Sequence, residues 1–273
     1  MFKLEDQYLE IAIKASFKAA KEVMSIYEAG DFDVEMKSDH SPLTIADKTA
    51  HTIIKKELEK TGIPILSEEG KHLSYEERKH WDKLWIVDPI DGTKEFIKKS
   101  GEFTINIALI EQQKPVLGVV YAPALEFLYW GGQSGSYKLT GVRNFKEFEF
   151  KLDSRKKLPL THKNKAFVIA ASKSHLTNTT KDFINQKRAS YADVEIISKG
   201  SSLKICMVAE GIVDCYPRFG TTMEWDTAAG HAVCANAQAE IEDLNQVPLL
   251  YNKKDLRNAD FLCNSKNNFK VTN

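Results

Sequence analysis

The chain reads as a mixed α/β protein, α+β over its first part and alternating α and β beyond it, and three observations carry that reading. Leu4, Tyr8, Ile11, Ala12, Ala15, Ala19, Val23 and Ile26 recur at helical spacing, which predicts one long amphipathic helix. Residues 84–87, Leu-Trp-Ile-Val, form an apolar run of strand length that stops at a carboxylate. After residue 165, short strand-like and helical patterns alternate, at 167–171, 203–209 and 214–216.

A second helix is expected to begin near Leu43 and to turn Ala46, Ala50, Ile53, Ile54 and Leu58 inward. Residues 63–66 are a short apolar run that ends in Ser67-Glu68-Glu69-Gly70. Residues 103–110 and 116–121 are expected to pair as strands around the polar turn Glu111-Gln112-Gln113-Lys114. Gly131-Gly132-Gln133-Ser134-Gly135 is expected to be a loop leading into a strand through Tyr137 and Leu139. Residues 146–165, dense in charge and interrupted by Pro159, are the expected domain boundary, dividing 1–160 from 161–273.

The chemistry concentrates at residues 84–96, Leu-Trp-Ile-Val-Asp-Pro-Ile-Asp-Gly-Thr-Lys-Glu-Phe. A strand that ends in Asp88 and Asp91 offers hard oxygen ligands for a divalent cation. Gly92 and Thr93, at the start of an expected helix, offer free backbone N–H groups to a phosphate. Metal and phosphate side by side is the machinery of phosphoryl-ester hydrolysis. An isolated D-x-x-D followed by Gly is more often plain turn chemistry, and Asp226 alone reads as a helix cap. Three acid-terminated sites in one chain, at Glu68, at Asp88 and Asp91, and at Trp225-Asp226-Thr227-Ala228-Ala229-Gly230, favour the metal reading.

Ser-Glu-Glu-Gly, then Asp-Pro-Ile-Asp-Gly-Thr about twenty residues on, then Trp-Asp-Thr-Ala-Ala-Gly toward the C-terminus, resemble the inositol monophosphatase superfamily in order, spacing and context. The resemblance runs over nearly the whole chain. It implies an α/β/α/β/α layered sandwich with the active site in the cleft between two halves, and Mg²⁺-dependent phosphomonoesterase activity, commonly lithium-inhibited. It further implies that Glu68, Asp88 and the Ile90 carbonyl hold one Mg²⁺, and that Asp88, Asp91 and Asp226 hold a second. Glu68 would also reach a third, loosely held ion through water, and Glu69 is left to a supporting or solvent role. Thr93 and Asp47 would activate the attacking water, while Gly92 and Thr93 cradle the phosphate. Thr44-Ile45-Ala46-Asp47 equally fits a capping box, so a structural Asp47 stands beside the catalytic one.

Gly200-Ser201-Ser202-Leu203-Lys204 and Tyr216-Pro217-Arg218 resemble the 3′(2′),5′-bisphosphate nucleotidase branch of that superfamily. Taken singly, Lys204 would be a surface lysine and Arg218 a loop ion-pair partner. Together with two hydroxyls they describe a second phosphate site, Arg as a planar fork and Lys as a mobile charge. The resemblance implies that Ser201, Ser202, Lys204 and Arg218 bind the 5′-phosphate of adenosine 3′,5′-bisphosphate, and that His175 lies beside the nucleoside. An ordinary surface or core role for His175 is equally open. Sulfate assimilation would supply that nucleotide. An inositol-directed relative would carry an acid near position 218.

Composition agrees. Basic and acidic residues balance at 38 each, which removes any global attraction to nucleic acid. No apolar stretch approaches the roughly 20 residues of a membrane span, and the N-terminal pattern with Glu5, Asp6 and Glu10 does not resemble a signal peptide. Cys206, Cys215, Cys234 and Cys263 show no C-x-x-C spacing and read as reduced core residues. A cytoplasmic enzyme is expected, with peripheral association at the inner membrane face and oligomeric state left open and a monomer favoured. Two other functions stand beside the nucleotidase: a sugar- or inositol-phosphate phosphatase with the same metal mechanism, and a metal- or nucleotide-binding regulator without catalysis. The cations at 204 and 218 speak against the first, and the intact set of Thr93, Asp47 and metal ligands against the second.

Overall fold

A computed structural model of the chain describes residues 6–37, 42–71, 73–160, 166–171 and 177–266. Leu4 and His175 lie outside them. The elements in order are α1 (Gln7–Ala29), β1 (Glu35–Met36), β2 (Pro42–Leu43), α2 (Ile45–Leu58), β3 (Ile65–Ser67), α3 (Tyr75–Arg78), β4 (Lys83–Asp91) and α4 (Thr93–Ile97). There follow β5 (Thr104–Glu111), β6 (Lys114–Ala122), β7 (Phe127–Gly132), β8 (Gly135–Thr140), α5 (Phe145–Lys151) and β9 (Lys156–Lys157). The remainder is β10 (Phe167–Ala171), α6 (Asn178–Ser190), β11 (Val194–Ser198), α7 (Leu203–Glu210), β12 (Cys215–Arg218), α8 (Glu224–Ala235), β13 (Ala239–Asp243) and β14 (Phe261–Ser265).

Local chemistry sets the ends of the long helices. Asp6 accepts from the backbone N–H of Tyr8 (2.8 Å), satisfying a donor that the first turn of α1 leaves free, and Gly30 closes the helix in a left-handed conformation. Thr44 caps α2, so that helix starts at Ile45, with Ala46, Ala50, Ile54 and Leu58 buried and Ile53 partly so. The hairpin between β5 and β6 turns on Gln112 and Gln113, both at positive φ, the conformation that matches the twist of two antiparallel strands.

Two sheets organise the chain. A seven-stranded sheet runs β3-β4-β5-β6-β7-β8-β9, with β3 parallel to β4 and the other pairs antiparallel. A five-stranded sheet runs β11-β10-β12-β14-β13. Strand β5 shows how the layers arise from alternation. Phe103, Ile105, Ile107 and Leu109 pack with α1 and α2, while Ala108 and Ile110 join the core that holds α7, α8 and the inner face of the second sheet. The outer face of that sheet buries Phe167, Ile169 and Cys215 against Ile184 of α6. The result is the expected α/β/α/β/α sandwich.

One segment differs from expectation, and one expected only as a boundary carries structure of its own. Gly131 and Gly132 belong to β7 and Gly135 begins β8, so the turn is only Gln133 and Ser134. Residues 146–160 carry most of α5, with Phe148 and, four on, Leu152 buried beneath a largely charged surface, and the short strand β9, which pairs with β8. Among the described residues no helix is long and apolar enough to cross a membrane.

Candidate active site

Strand β4 carries its acids within its own end. Its pairing with β5 matches Asp88 to Asn106 and Asp91 to Thr104, with a bulge between the two acids. The bulge re-aims the chain where Pro89 has no N–H to donate. Gly92 then turns at φ +91° into α4. A side chain at 92 would be strained there, and its Cβ would press on the Glu102 carbonyl and Ser201 at 3.3 Å.

Asp88, Asp91 and Asp226 converge, each offering a carboxylate oxygen within 4.8 Å of the others. Asp226 reaches the cluster from the first turn of α8, where its other task is to accept from the Met223 N–H (2.8 Å). Glu68, at the turn after β3, lies against Asp88. Asp88 is buried, and its Oδ1 has no hydrogen-bond partner among the described residues. Burial and the neighbouring carboxylates push its proton affinity far above the ordinary aspartate range, and burial with Asp91 pushes that of Asp226 up to about 8. A buried carboxylate oxygen with no donor, among like charges, is the donor set of a hard divalent cation, and these residues fit one.

Thr93 and Asp47 meet although they are 46 positions apart: the Thr93 hydroxyl donates to Asp47 Oδ1 at 3.1 Å. Asp47 Oδ2 accepts from the backbone N–H and the hydroxyl of Thr44 (2.8 and 2.5 Å). The capping box and the link to Thr93 therefore coexist, one on each oxygen.

One cleft is lined by Glu68, Asp91, Gly92, Thr93, Ser201, Ser202, Lys204, Arg218 and Asp226. Lys204 is no surface residue. Its ammonium donates to the carbonyls of Lys199 (3.1 Å) and Ser201 (2.7 Å), and burial, with Arg218 adding repulsion against the pull of Asp91, lowers its pKa to about 8. Arg218 donates from one terminal nitrogen to the Thr221 carbonyl (3.0 Å), while its buried Nε has no partner among the described residues. Ser202 is turned toward the carboxylates. Its backbone N–H donates to Asp91 (2.6 Å), and its hydroxyl lies 2.7 Å from Asp91 Oδ2 and 2.9 Å from the Asp226 carbonyl.

Sequence reasoning missed two residues here. Lys37 donates to Glu68 (2.8 Å) and pairs with Glu69, an approach across 31 and 32 positions that leaves no local signal. Asn106 donates to Ser202 (2.9 Å) from within β5. It had a legible trace, because Thr104 and Asn106 interrupt an apolar strand at every second position.

A five-layered sandwich with an acid cluster beside a cleft defines a class: the chain belongs to the inositol monophosphatase family, whose model matches residues 4–272. Within the family, the chain is 44% identical over 241 residues, 87% of this chain and 91% of the relative, to the 3′(2′),5′-bisphosphate nucleotidase CysQ of Escherichia coli O157:H7. Identity to the CysQ nucleotidase of Haemophilus influenzae is 33% over 260 residues, covering 93% and 91%. The crystal structure of CysQ from Bacteroides thetaiotaomicron, described as a bacterial member of the inositol monophosphatase family, superposes with a TM-score of 0.88 at 45% identity, covering 97% of this chain and 99% of that one. The SuhB protein of Bartonella henselae, at 23% identity and a TM-score of 0.75, shares the fold.

Proposed function

We propose that this protein is a Mg²⁺-dependent 3′(2′),5′-bisphosphate nucleotidase that removes the 3′-phosphate of adenosine 3′,5′-bisphosphate and leaves AMP. The observation that carries the proposal is the junction of two opposite charges in one cleft: the Asp91 and Asp226 carboxylates, with buried Asp88 converging on them, on one side, and Lys204 and Arg218 on the other. A monoester bound at the acids leaves room for a second anion at the cations. Inositol phosphate has no such group to offer them.

Glu68, Asp88 and the Ile90 carbonyl would hold one Mg²⁺, Asp88, Asp91 and Asp226 a second, and Glu68 a third through water. A divalent cation there supplies a more acidic water and charge for the leaving oxygen. The chain supplies the rest. Thr93 orients the attacking water through its hydroxyl and, by its bond to Asp47 Oδ1, directs the released proton toward that carboxylate. The backbone N–H groups of Gly92 and Thr93 orient the phosphate being cleaved. Ser201, Lys204 and Arg218 hold the retained 5′-phosphate, whereas Ser202 acts by fixing Asp91. His175 is proposed beside the nucleoside.

The division into residues 1–160 and 161–273 belongs to the same proposal, with each half contributing one wall of the cleft. So does a cytoplasmic setting, which the four free, buried thiols support. Incubation of the purified protein with adenosine 3′,5′-bisphosphate, followed by chromatography of the products, tests the reaction. AMP plus phosphate, abolished by a chelator and restored by Mg²⁺, is expected; adenosine 3′-phosphate as the product would reverse the roles of the two anion sites.

A further inference from the structure

Glu102, Thr104 and Asn106 stand at every second position where β5 begins, so all three fall on one face of the chain, and all are buried. Each meets one residue of the turn that leads into α7. Gly200 N–H donates to Glu102 Oε2 at 2.9 Å, Thr104 Oγ1 lies 3.4 Å from the Ser201 hydroxyl, and Asn106 Nδ2 donates to Ser202 at 2.9 Å. Lys199 adds an ion pair to Glu102 at 3.1 Å. Two residues per rung on the strand thus match one residue per rung on the turn.

The turn needs such support. Ser201 is held at φ +44°, a left-handed conformation that a serine adopts at a cost, and a Cβ at Gly200 would sit 2.6 Å from the Glu102 carbonyl. The same turn supplies the two carbonyls, of Lys199 and Ser201, that hold the Lys204 ammonium. Whatever fixes the turn therefore fixes the position of that charge.

We propose that Glu102, Thr104 and Asn106 form a polar ladder that positions the 199–202 turn, and through it Lys204, as the receptor for the second phosphate of a nucleoside bisphosphate. The three are positioning residues: Glu102 and Thr104 act through the turn, while Asn106 also lies 3.4 Å from Asp91 Oδ2, so the ladder is tested at 102 and 104. This inference rests on the nucleotidase reading and names the part of the first sheet that sets its specificity.

The test compares wild type, Glu102→Ala, Glu102→Gln and Thr104→Val on adenosine 3′,5′-bisphosphate and on adenosine 3′-monophosphate, which lacks the second phosphate, with AMP affinity measured by calorimetry. Glu102→Ala should lower the kcat/KM ratio of bisphosphate to monophosphate at least tenfold, mainly through KM, and weaken AMP binding by a similar factor. Glu102→Gln keeps an acceptor for the Gly200 N–H and should recover most of both. Thr104→Val, which keeps shape and removes only the hydroxyl, should give a smaller change in the same direction. Equal losses on both substrates, or an unchanged ratio in Glu102→Ala, would overturn the ladder while leaving the nucleotidase reading intact. A wild type that does not prefer the bisphosphate would contradict the nucleotidase reading, and the ladder's role with it.

Discussion

Asp47 has two carboxylate oxygens, and the fold uses each for a different purpose: Oδ2 closes the capping box of α2 and Oδ1 receives the Thr93 hydroxyl. An amide at this position keeps one acceptor and loses the charge. Asp47→Asn is therefore expected to lower kcat at least a hundredfold while costing about 1 kcal/mol of stability or less, the size of a weakened cap. Steady-state kinetics beside denaturant unfolding separates the two, and a stability loss with normal kcat would make Asp47 a cap only. For Arg218→Ala, removing one charge-assisted contact should cost about 1.5–3 kcal/mol, a 10- to 100-fold rise in KM for the bisphosphate. An equal effect on inositol 1-phosphate would deny Arg218 any part in specificity. Most of this site was legible because acids at strand ends and cations near hydroxyls are local patterns. The choice between cap and catalysis at Asp47 was not, because T-x-x-D specifies only the helix start and Thr93 arrives from elsewhere in the chain.

At the scale of elements, α8 is the piece whose placement decides whether Asp226 reaches the cluster. It lies on β6 and β7 where Gly118 faces Gly131 across the pairing, and the helix backbone enters the space that two side chains would fill. A Cβ at Gly118 would come within 2.7 Å of Ala232 Cβ, and one at Gly131 within 2.8 Å of Val233 Cα. Gly118→Ala should therefore destabilise the protein by about 1–3 kcal/mol, the usual cost of overpacking, and lower activity by displacing Asp226. Thermal unfolding and kinetics of the one variant check both, and a stable, fully active Gly118→Ala would mean that α8 has room. This contact explains the misread stretch 131–135. A glycine that admits a helix looks the same in sequence as a glycine that makes a turn, and only the packing of α8 tells them apart. The charged helix α5 was hidden for a related reason, since two buried residues give too weak a period against so many charges.

Across the whole molecule, the five layers follow from alternation that the sequence carried openly, as in β5, where odd positions face one helical layer and even positions the other. Sheet order and the second sheet's long-range pairs were not legible, because β12 pairs with β14 across more than forty residues. The middle layer also gives the fold a pH dependence. His231 of α8 is buried against Tyr251, their Nδ1 and hydroxyl 2.9 Å apart, and burial lowers its pKa from 6.5 to about 4, with Glu240 opposing. The unfolded chain thus takes up this proton first. The group's contribution is fully present above pH 6.5 and is lost as pH falls toward 4, by roughly 3 kcal/mol. Denaturant unfolding from pH 7 to 4.5 should show this slope in wild type and a reduced one in His231→Gln; identical slopes would remove His231 as its source. The central claim is that one cleft joins metal-binding acids to a second phosphate site. Its most direct test is the ratio of kcat/KM for adenosine 3′,5′-bisphosphate to that for inositol 1-phosphate, measured side by side with Mg²⁺ and with a chelator. A ratio of a hundredfold or more, with both activities abolished by chelation, is the predicted result; a ratio near one, or in favour of inositol 1-phosphate, would keep the metal chemistry and contradict the second phosphate site.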